Sequence, residues 1–324
     1  MHFKNIVYRL MDRFFHLNCL LPVKRHCIFL PLLLLFMCKV MAQNNIRIND
    51  YWDNTYYINP AGIHESDWMR FSTVARKQWL NFPGAPTTFF ATSSIYLKSL
   101  RTQFGLKAMM DQAGYTNISQ INLSYGYLLP INEGWALKFG LAGTYQSISF
   151  DMDKISSADS DDPDLYEHYK RQDYLNADLG FELTDKFWTV GVVSQNIPSL
   201  FFNINKQFSN TNFVYASYRQ YNHDYINLGF GACAIQERNV YQMEFNAMSY
   251  FKLTQEMNAF QVGLFYRTWR EMGVMFGIDL SKNLFMTYNY DFNIGEIRRK
   301  SLGTHELMLV LKLKPTERCV NCWY

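Results

Sequence analysis

Beyond residue 42 the sequence contains no apolar run of the roughly 20 residues that a helix needs to cross a bilayer. A helical membrane protein is thereby excluded. Met1 to Ala42 is set apart as an export signal. Lys24 and Arg25 precede the apolar run Cys27–Cys38, and Val40-Met41-Ala42 is a small-residue cleavage pattern before Gln43. That run is too short for an anchor and is broken by Pro31. The rival reading, a lipoprotein signal with Cys38 lipidated, is disfavoured by the bulky Phe36 and Met37 before it.

Basic charge is also missing once the signal is set aside. The chain is formally +3, but residues 1–42 hold six Lys/Arg against Asp12, so 3 − 5 leaves −2 for the rest. The apparent basicity belongs to export, and no nucleic-acid footprint remains.

Cysteine and histidine are scarce. Only Cys233, Cys319 and Cys322 follow the signal. Cys233 lies within an apolar strand pattern and reads as an inert thiol. Cys319-Val320-Asn321-Cys322 is followed by Trp323, where haem attachment needs His, and no second pair completes a zinc site. A small disulfide formed in an oxidising envelope compartment is the expectation. His64, His168, His223 and His305 have no metal-ligand spacing, and neither a Gly-x-Ser-x-Gly turn nor a phosphate loop appears. Enzymatic activity and a cofactor are therefore not expected. The acidic run Ser156–Asp164 lacks the spacing of a calcium loop and reads as a solvated external loop. Ile297–Lys300 forms a basic tip that would meet anionic lipid, a partner or solvent.

Aromatics are abundant, at 17% of the chain with Tyr 22 and Phe 26. Beyond the signal, about fourteen segments alternate with strand period, each near the length that a tilted strand needs to span a membrane. In one, Ile121, Leu123, Tyr125 and Tyr127 oppose Gln120, Asn122, Ser124 and Gly126. In another, Leu175, Ala177, Leu179, Phe181 and Leu183 oppose Asn176, Asp178, Gly180 and Glu182. Tyr241–Ala247 and Leu284–Phe292 behave alike, with Glu244 and Asp291 on their polar faces. A second face that is polar and Gly-rich suits a crowded lumen. Closure satisfies every backbone group in lipid.

The links support this reading. Those after even strands are short (Lys98–Arg101, Pro130–Gly134, Thr184–Lys186, Asn222–Asp224, Ser281–Asn283), with Thr254–Met257 somewhat longer. The long ones follow odd strands: Lys77–Pro86, Asp151–Asp173, Asn196–Asn210 and Asn293–Thr304. Short periplasmic turns alternating with longer external loops are the outer-membrane pattern. Trp68, Trp79, Trp135, Trp188 and Trp269 fall near strand ends, at headgroup level. The expectation is an all-β transmembrane outer-membrane barrel of about 14 antiparallel strands over residues 67–314, with a plug-like segment at 43–66 and a periplasmic tail at 315–324. Outer-membrane lipid is its first partner. Inward Asp178, Glu182, Glu244 and Asp291 would tune a channel or tie the wall to the plug.

Several motifs in order then resemble the PorP/SprF family of type IX secretion and gliding outer-membrane proteins. They are Asn59-Pro60-Ala61-Gly62, then Arg76, Gln78 and Trp79, then Gly84-Ala85-Pro86 and Thr88. Near the end come Tyr290 and Asp291, then Thr304-His305-Glu306 where the family has Ser-His-Glu. The resemblance implies a non-enzymatic role in exporting or anchoring secreted cargo or a surface adhesin, together with periplasmic and peptidoglycan-associated components. An Asn-Pro-Ala segment in a plug is also similar to long-chain fatty-acid channels, so a FadL-like hydrophobic-solute transporter or porin is the alternative. Pro60 fixes φ and Gly62 permits a left-handed bend, so this turn is expected to reverse the chain sharply and act as the hinge of the plug.

Overall fold

The computed structural model describes residues 48–151, 171–201, 209–253, 258–268, 270–294, 296–299 and 301–314. The expected signal, the acidic run Ser156–Asp164 and the Cys319–Cys322 pair lie outside the described residues.

Fourteen strands close into one antiparallel barrel in which each pairs with its sequence neighbours and β1 pairs with β14. They are β1 (Met69–Lys77), β2 (Thr87–Leu97), β3 (Thr102–Ala113), β4 (Thr116–Pro130), β5 (Ala136–Phe150), β6 (Gln172–Thr184) and β7 (Trp188–Gln195). After a helical turn α1 (Pro198–Phe201) follow β8 (Thr211–Arg219), β9 (Ile226–Glu237), β10 (Val240–Lys252), β11 (Asn258–Arg267), β12 (Glu271–Asp279), β13 (Leu284–Asn293) and β14 (Thr304–Leu313). The closing ladder runs from Met69↔Leu313 to Lys77↔His305, so the barrel begins and ends at one rim.

Alternation decides which face each side chain takes. Leu123, Tyr125, Leu141, Leu175 and Phe181 are exposed on the outer wall, while Asn122, Ser124, Asn176, Asp178 and Glu182 are buried inside. The described links after even strands are tight turns or short loops, residues 254–257 after β10 lying outside the described residues, and the long links all follow odd strands. Three odd links, at Gly114–Tyr115, Arg238–Asn239 and 268–270, are short as well. Length therefore marks the long-loop rim without being uniform along it. Trp68 and Trp188 are exposed on the outer wall near the short-turn rim. Trp79 instead sits in the β1–β2 link at φ 51.

The segment before β1 occupies the lumen. Two 3-10 turns, Asn49–Trp52 and Thr55–Tyr57, carry the buried Tyr51, Tyr56 and Tyr57, and Asn59 and Ala61 are fully buried. The Asn54 side chain caps the second turn by accepting from Tyr56 N. Asn49 meets strand ends at the long-loop rim, whereas Ile63 and His64 meet Lys138 and Gln103 near the short-turn rim. The chain thus descends through the barrel before β1 rises. Strand parity alone locates where β1 starts and says nothing of this descent.

Candidate functional site

The Asn59-Pro60-Ala61-Gly62 turn is held by its own backbone and by a seat in the wall. Gly62 N donates to Asn59 O at 2.9 Å, and Ala61 N donates to Asn59 Oδ1 at 2.9 Å. The Asn59 amide donates to Tyr215 Oη at 2.9 Å and Phe181 O at 3.1 Å. The seat is a row of glycines: Gly126 pairs with Gly140, and Gly140 pairs with Gly180. A Cβ on Gly140 would overlap the Pro60 carbonyl, and one on Gly180 would overlap the Asn59 side chain. A Cβ on Gly126 would press on Ile63 at 3.1 Å, and one on Gly105, in β3, would overlap the Tyr56 hydroxyl. Backbone approaches backbone here, which only glycine allows. Gly62 does not take the expected left-handed φ; glycine is required there because a Cβ would overlap the backbone of Tyr56, and the expected hinge is a wedge that fills its seat.

A second fastening lies at the long-loop rim. Arg76 donates to Glu306 Oε2 at 2.7 Å and Asp291 Oδ2 at 2.9 Å. Asn49 donates its backbone N–H to Glu306 at 2.8 Å and its side-chain amide to Asp291 at 2.6 Å. Its Oδ1 accepts from Arg267 at 2.7 Å. Arg267 in turn donates to Glu244 and Glu271, each at 2.8 Å. Tyr51 Oη donates to Glu244 at 2.9 Å. Asp50 accepts from Thr287 Oγ1 and, at 2.6 Å, from Asn289 Nδ2.

Two guanidinium groups here face Asp50, Glu244, Glu271, Asp291 and Glu306. Burial and the neighbouring charges of Glu306 and Asp53 push Asp50 well above the usual carboxylate range. Each guanidinium fork bridges two carboxylates, Arg76 joining Asp291 to Glu306 and Arg267 joining Glu244 to Glu271, which lets the remaining charges stay buried.

Between these fastenings the contacts are neutral or singly charged. Thr55 Oγ1 and Tyr215 Oη both donate to Glu182, at 2.8 and 2.7 Å. Gln195 donates to Ile58 O at 2.7 Å, and Gln261 to Asp53 at 2.7 Å. Lys138 bridges Glu65 at 3.2 Å and Glu182 at 3.5 Å. A cavity of about 120 Å³ lies against Ile48, Tyr51 and Tyr57, and one of about 380 Å³ against Trp52, Asp53 and Ile63–Ser66. Among the described residues no cluster of three His, Cys, Asp or Glu is placed to hold a metal ion.

The structure thus brings Arg76, Asp291 and Glu306 into one network and places Asn59, Pro60, Ala61 and Gly62 in another. His305 does not join them. It faces outward, where its Nδ1 and Tyr288 Oη lie 2.6 Å apart, while adjacent Glu306 points in. Tyr290 is also outside the network, its hydroxyl donating to Leu302 O at 2.5 Å. Gln78, Trp79, Gly84, Ala85 and Pro86 shape the β1–β2 link: Gln78 N donates to Pro86 O, Trp79 N to Thr304 Oγ1, and Gly84, at φ 72, accepts from Gly114 N. Thr88 donates to Asp111 at 2.5 Å on the inner wall. Asn49, Asp50, Arg267 and Glu271 carry no local motif. For Arg267 and Glu271 the signal is an inward charged position at a strand end, whereas Asn49 and Asp50, on a 3-10 turn of the lumen segment, have none. Cys233 is buried and faces the lumen. Arg298 and Arg299 are exposed on a 3-10 turn.

The sequence model of a family described as type IX secretion system membrane protein PorP/SprF matches residues 40–311. No curated protein sequence matches the chain. Among solved structures, the TodX monoaromatic hydrocarbon channel deltaS2 mutant superposes with a TM-score of 0.50 at 9% identity, over 81% of this chain and 94% of that one. The Acinetobacter baumannii outer membrane protein Omp33 gives 0.46 at 9% identity, over 77% of this chain and all of the other. At such identities the likeness is one of fold.

Proposed function

Because the chain belongs to the PorP/SprF family of type IX secretion system membrane proteins, we propose that it is a plugged outer-membrane barrel that supports export or surface anchoring of secreted proteins. Its role in this reading is non-enzymatic. Periplasmic and peptidoglycan-associated components of the machinery, and a secreted cargo or adhesin, are its partners, and gliding is a process it would serve.

The observation that carries the proposal is the double fastening of residues 48–66 inside the lumen, by the glycine seat and by the Arg76–Asp291–Glu306–Asn49 network. Buried polar contacts across the bore hold the segment in place, as a scaffold that must not leak requires. A clean deletion followed by proteomics of the cell surface and medium tests it. Loss of many secreted proteins, or of a single adhesin, supports the two forms of the reading. An unchanged secreted set, with lowered uptake of hydrophobic solutes, favours a FadL-like transporter instead.

A further inference from the structure

Arg219 ends β8 on the inward side of its alternation, two residues after Ser217 and four after the buried Tyr215. Opposite it stands Gly229 of β9, which in turn faces Met248 of β10. A Cβ on Gly229 would meet the Tyr250 ring at 3.0 Å, so the glycine lets that ring lie close against the wall. The Arg219 guanidinium stacks on the same ring, its Cζ 3.7 Å from the centroid, with the Tyr221 ring at 5.1 Å. The stack holds the guanidinium in place before anything binds to it.

Its donors are under-used. Nε is buried without a hydrogen-bond partner, and Nη1 lies 3.8 Å from Asp53 Oδ1, beyond hydrogen-bond reach. Asp53 is served instead by Gln261 at 2.7 Å. The other buried charges nearby are matched: Glu182 accepts from Thr55 and Tyr215, while Lys138 donates to Ile63 O and bridges Glu65. Arginine carries five donors and no acceptor. A stacked, partly buried guanidinium calls for an oxygen anion, and the described residues do not supply one within bonding distance.

Arg219 and Tyr250 line the cavity of about 380 Å³, whose inner side is the lumen segment at Trp52, Asp53 and Ile63–Ser66. Lys186 and Tyr221, both exposed on short turns, line it as well, so it lies against the short-turn rim. It is large enough for a small organic molecule. Two features select the ligand. A single unmatched cation with Asp53, Glu65 and Asp185 around it suits one negative charge and repels a dianion. The buried Asn246 amide and the Ser217 and Thr184 hydroxyls also face the space, and His64 keeps Nδ1 buried without a partner. Such a lining favours a polar body over hydrocarbon.

We propose that this cavity binds a small organic monocarboxylate. Its carboxylate accepts from Arg219, and its amide or hydroxyl groups bond to Asn246, Ser217 and Thr184. The lumen segment closes the inner side, so the ligand enters from the short-turn rim. A ligand seated against Trp52 and Asp53 also favours the seated form of the segment, by mass action. The inference rests on the barrel and its lumen segment and is independent of which cargo the protein serves.

The test is titration calorimetry on the full chain in detergent, with N-acetylglycylglycine and its C-terminal carboxamide as probes. The acid should bind, and the carboxamide should bind at least about tenfold more weakly. Arg219→Gln should weaken the acid by about 10–100-fold and leave the carboxamide nearly unchanged. Arg219→Lys keeps the charge, loses the flat stack and should fall between. Inorganic phosphate at the same concentration should not displace the acid. Heat-modifiable mobility and protease protection of residues 48–66 should match wild type in Arg219→Gln, because Gln261 still holds Asp53. That separates a lost ligand from a loosened segment. The comparison of acid with carboxamide needs no variant, so it decides the matter if Arg219→Gln does not assemble. Equal binding of the two probes, binding of neither, displacement by phosphate, or unchanged affinity in Arg219→Gln overturns the proposal.

Discussion

Arg76 Nη2 lies 2.9 Å from Asp291 Oδ2, although 215 residues separate the two in sequence, and Asn49 of the lumen segment bonds to the same carboxylate. The wall and its contents are therefore fastened by one group. Arg76→Ala leaves Asp291 and Glu306 buried beside each other without their cation, a loss of about 3–5 kcal/mol. The expected outcome is a barrel that still closes while residues 48–66 become accessible to protease. Arg76→Lys cannot reproduce the planar fork that bridges the two carboxylates and should fall between. Protection equal to wild type in Arg76→Ala would remove this pair from the fastening.

Gly140 offers a cleaner separation of seat from wall. An added Cβ would overlap the Pro60 carbonyl, so Gly140→Ala should cost about 1–3 kcal/mol by overpacking. Gly143, on the same strand with nothing near its Cβ position, is the control, and Gly143→Ala should change stability by less than about 0.5 kcal/mol. Hydrogen exchange in residues 56–63 reads the difference. Equal protection in the two variants would mean that the glycine row does not hold the turn.

The wall and the presence of a plug-like segment were legible in the sequence, and the contacts that hold that segment were not. Period-two alternation assigns Leu123 and Leu175 outward and Asn122 and Asp178 inward because a strand has no other choice. Arg76, Asp291 and Glu306 stood out as motif residues, but their meeting needs β14 to close on β1. Closure is a property of the whole chain. The seat depends on register: Gly126, Gly140 and Gly180 are ordinary glycines until pairing puts them side by side. That is why Asn59-Pro60-Ala61-Gly62 reads as a hinge from Pro60 and Gly62 alone and proves to be a wedge.

Removing the lumen segment tests what it is for. Deletion of residues 48–66 removes the segment that lines both cavities and leaves all fourteen strands. In planar bilayers the deleted protein should show a stable open state where the full chain shows little conductance. Arg76→Ala and Gly140→Ala should give intermittent openings between these limits. Equal, low conductance in all four would show that something other than this segment seals the barrel.

Acid should act on the segment in two opposed ways. Burial, then the neighbouring Arg70, Lys138 and Lys312, hold His64 well below its ordinary value of 6.5. A depressed histidine stabilises the seated form fully above pH 6.5 and loses that contribution as the pH falls. Asp50 is raised, so its proton stabilises seating at low pH, and this contribution is lost as the pH rises from its ordinary 3.8 through the seated value. Below pH 6.5 and above pH 3.8 the two contributions change in opposite directions as acid is added, so wild type should respond less than a variant that keeps only one of them. His64→Gln leaves Asp50 alone, and acidification should then tighten the segment. Asp50→Asn leaves His64 alone, and acidification should loosen it. Protease protection of residues 48–66 across that range reads both signs, and a wild type and two variants with the same slope would show that neither group is linked to seating.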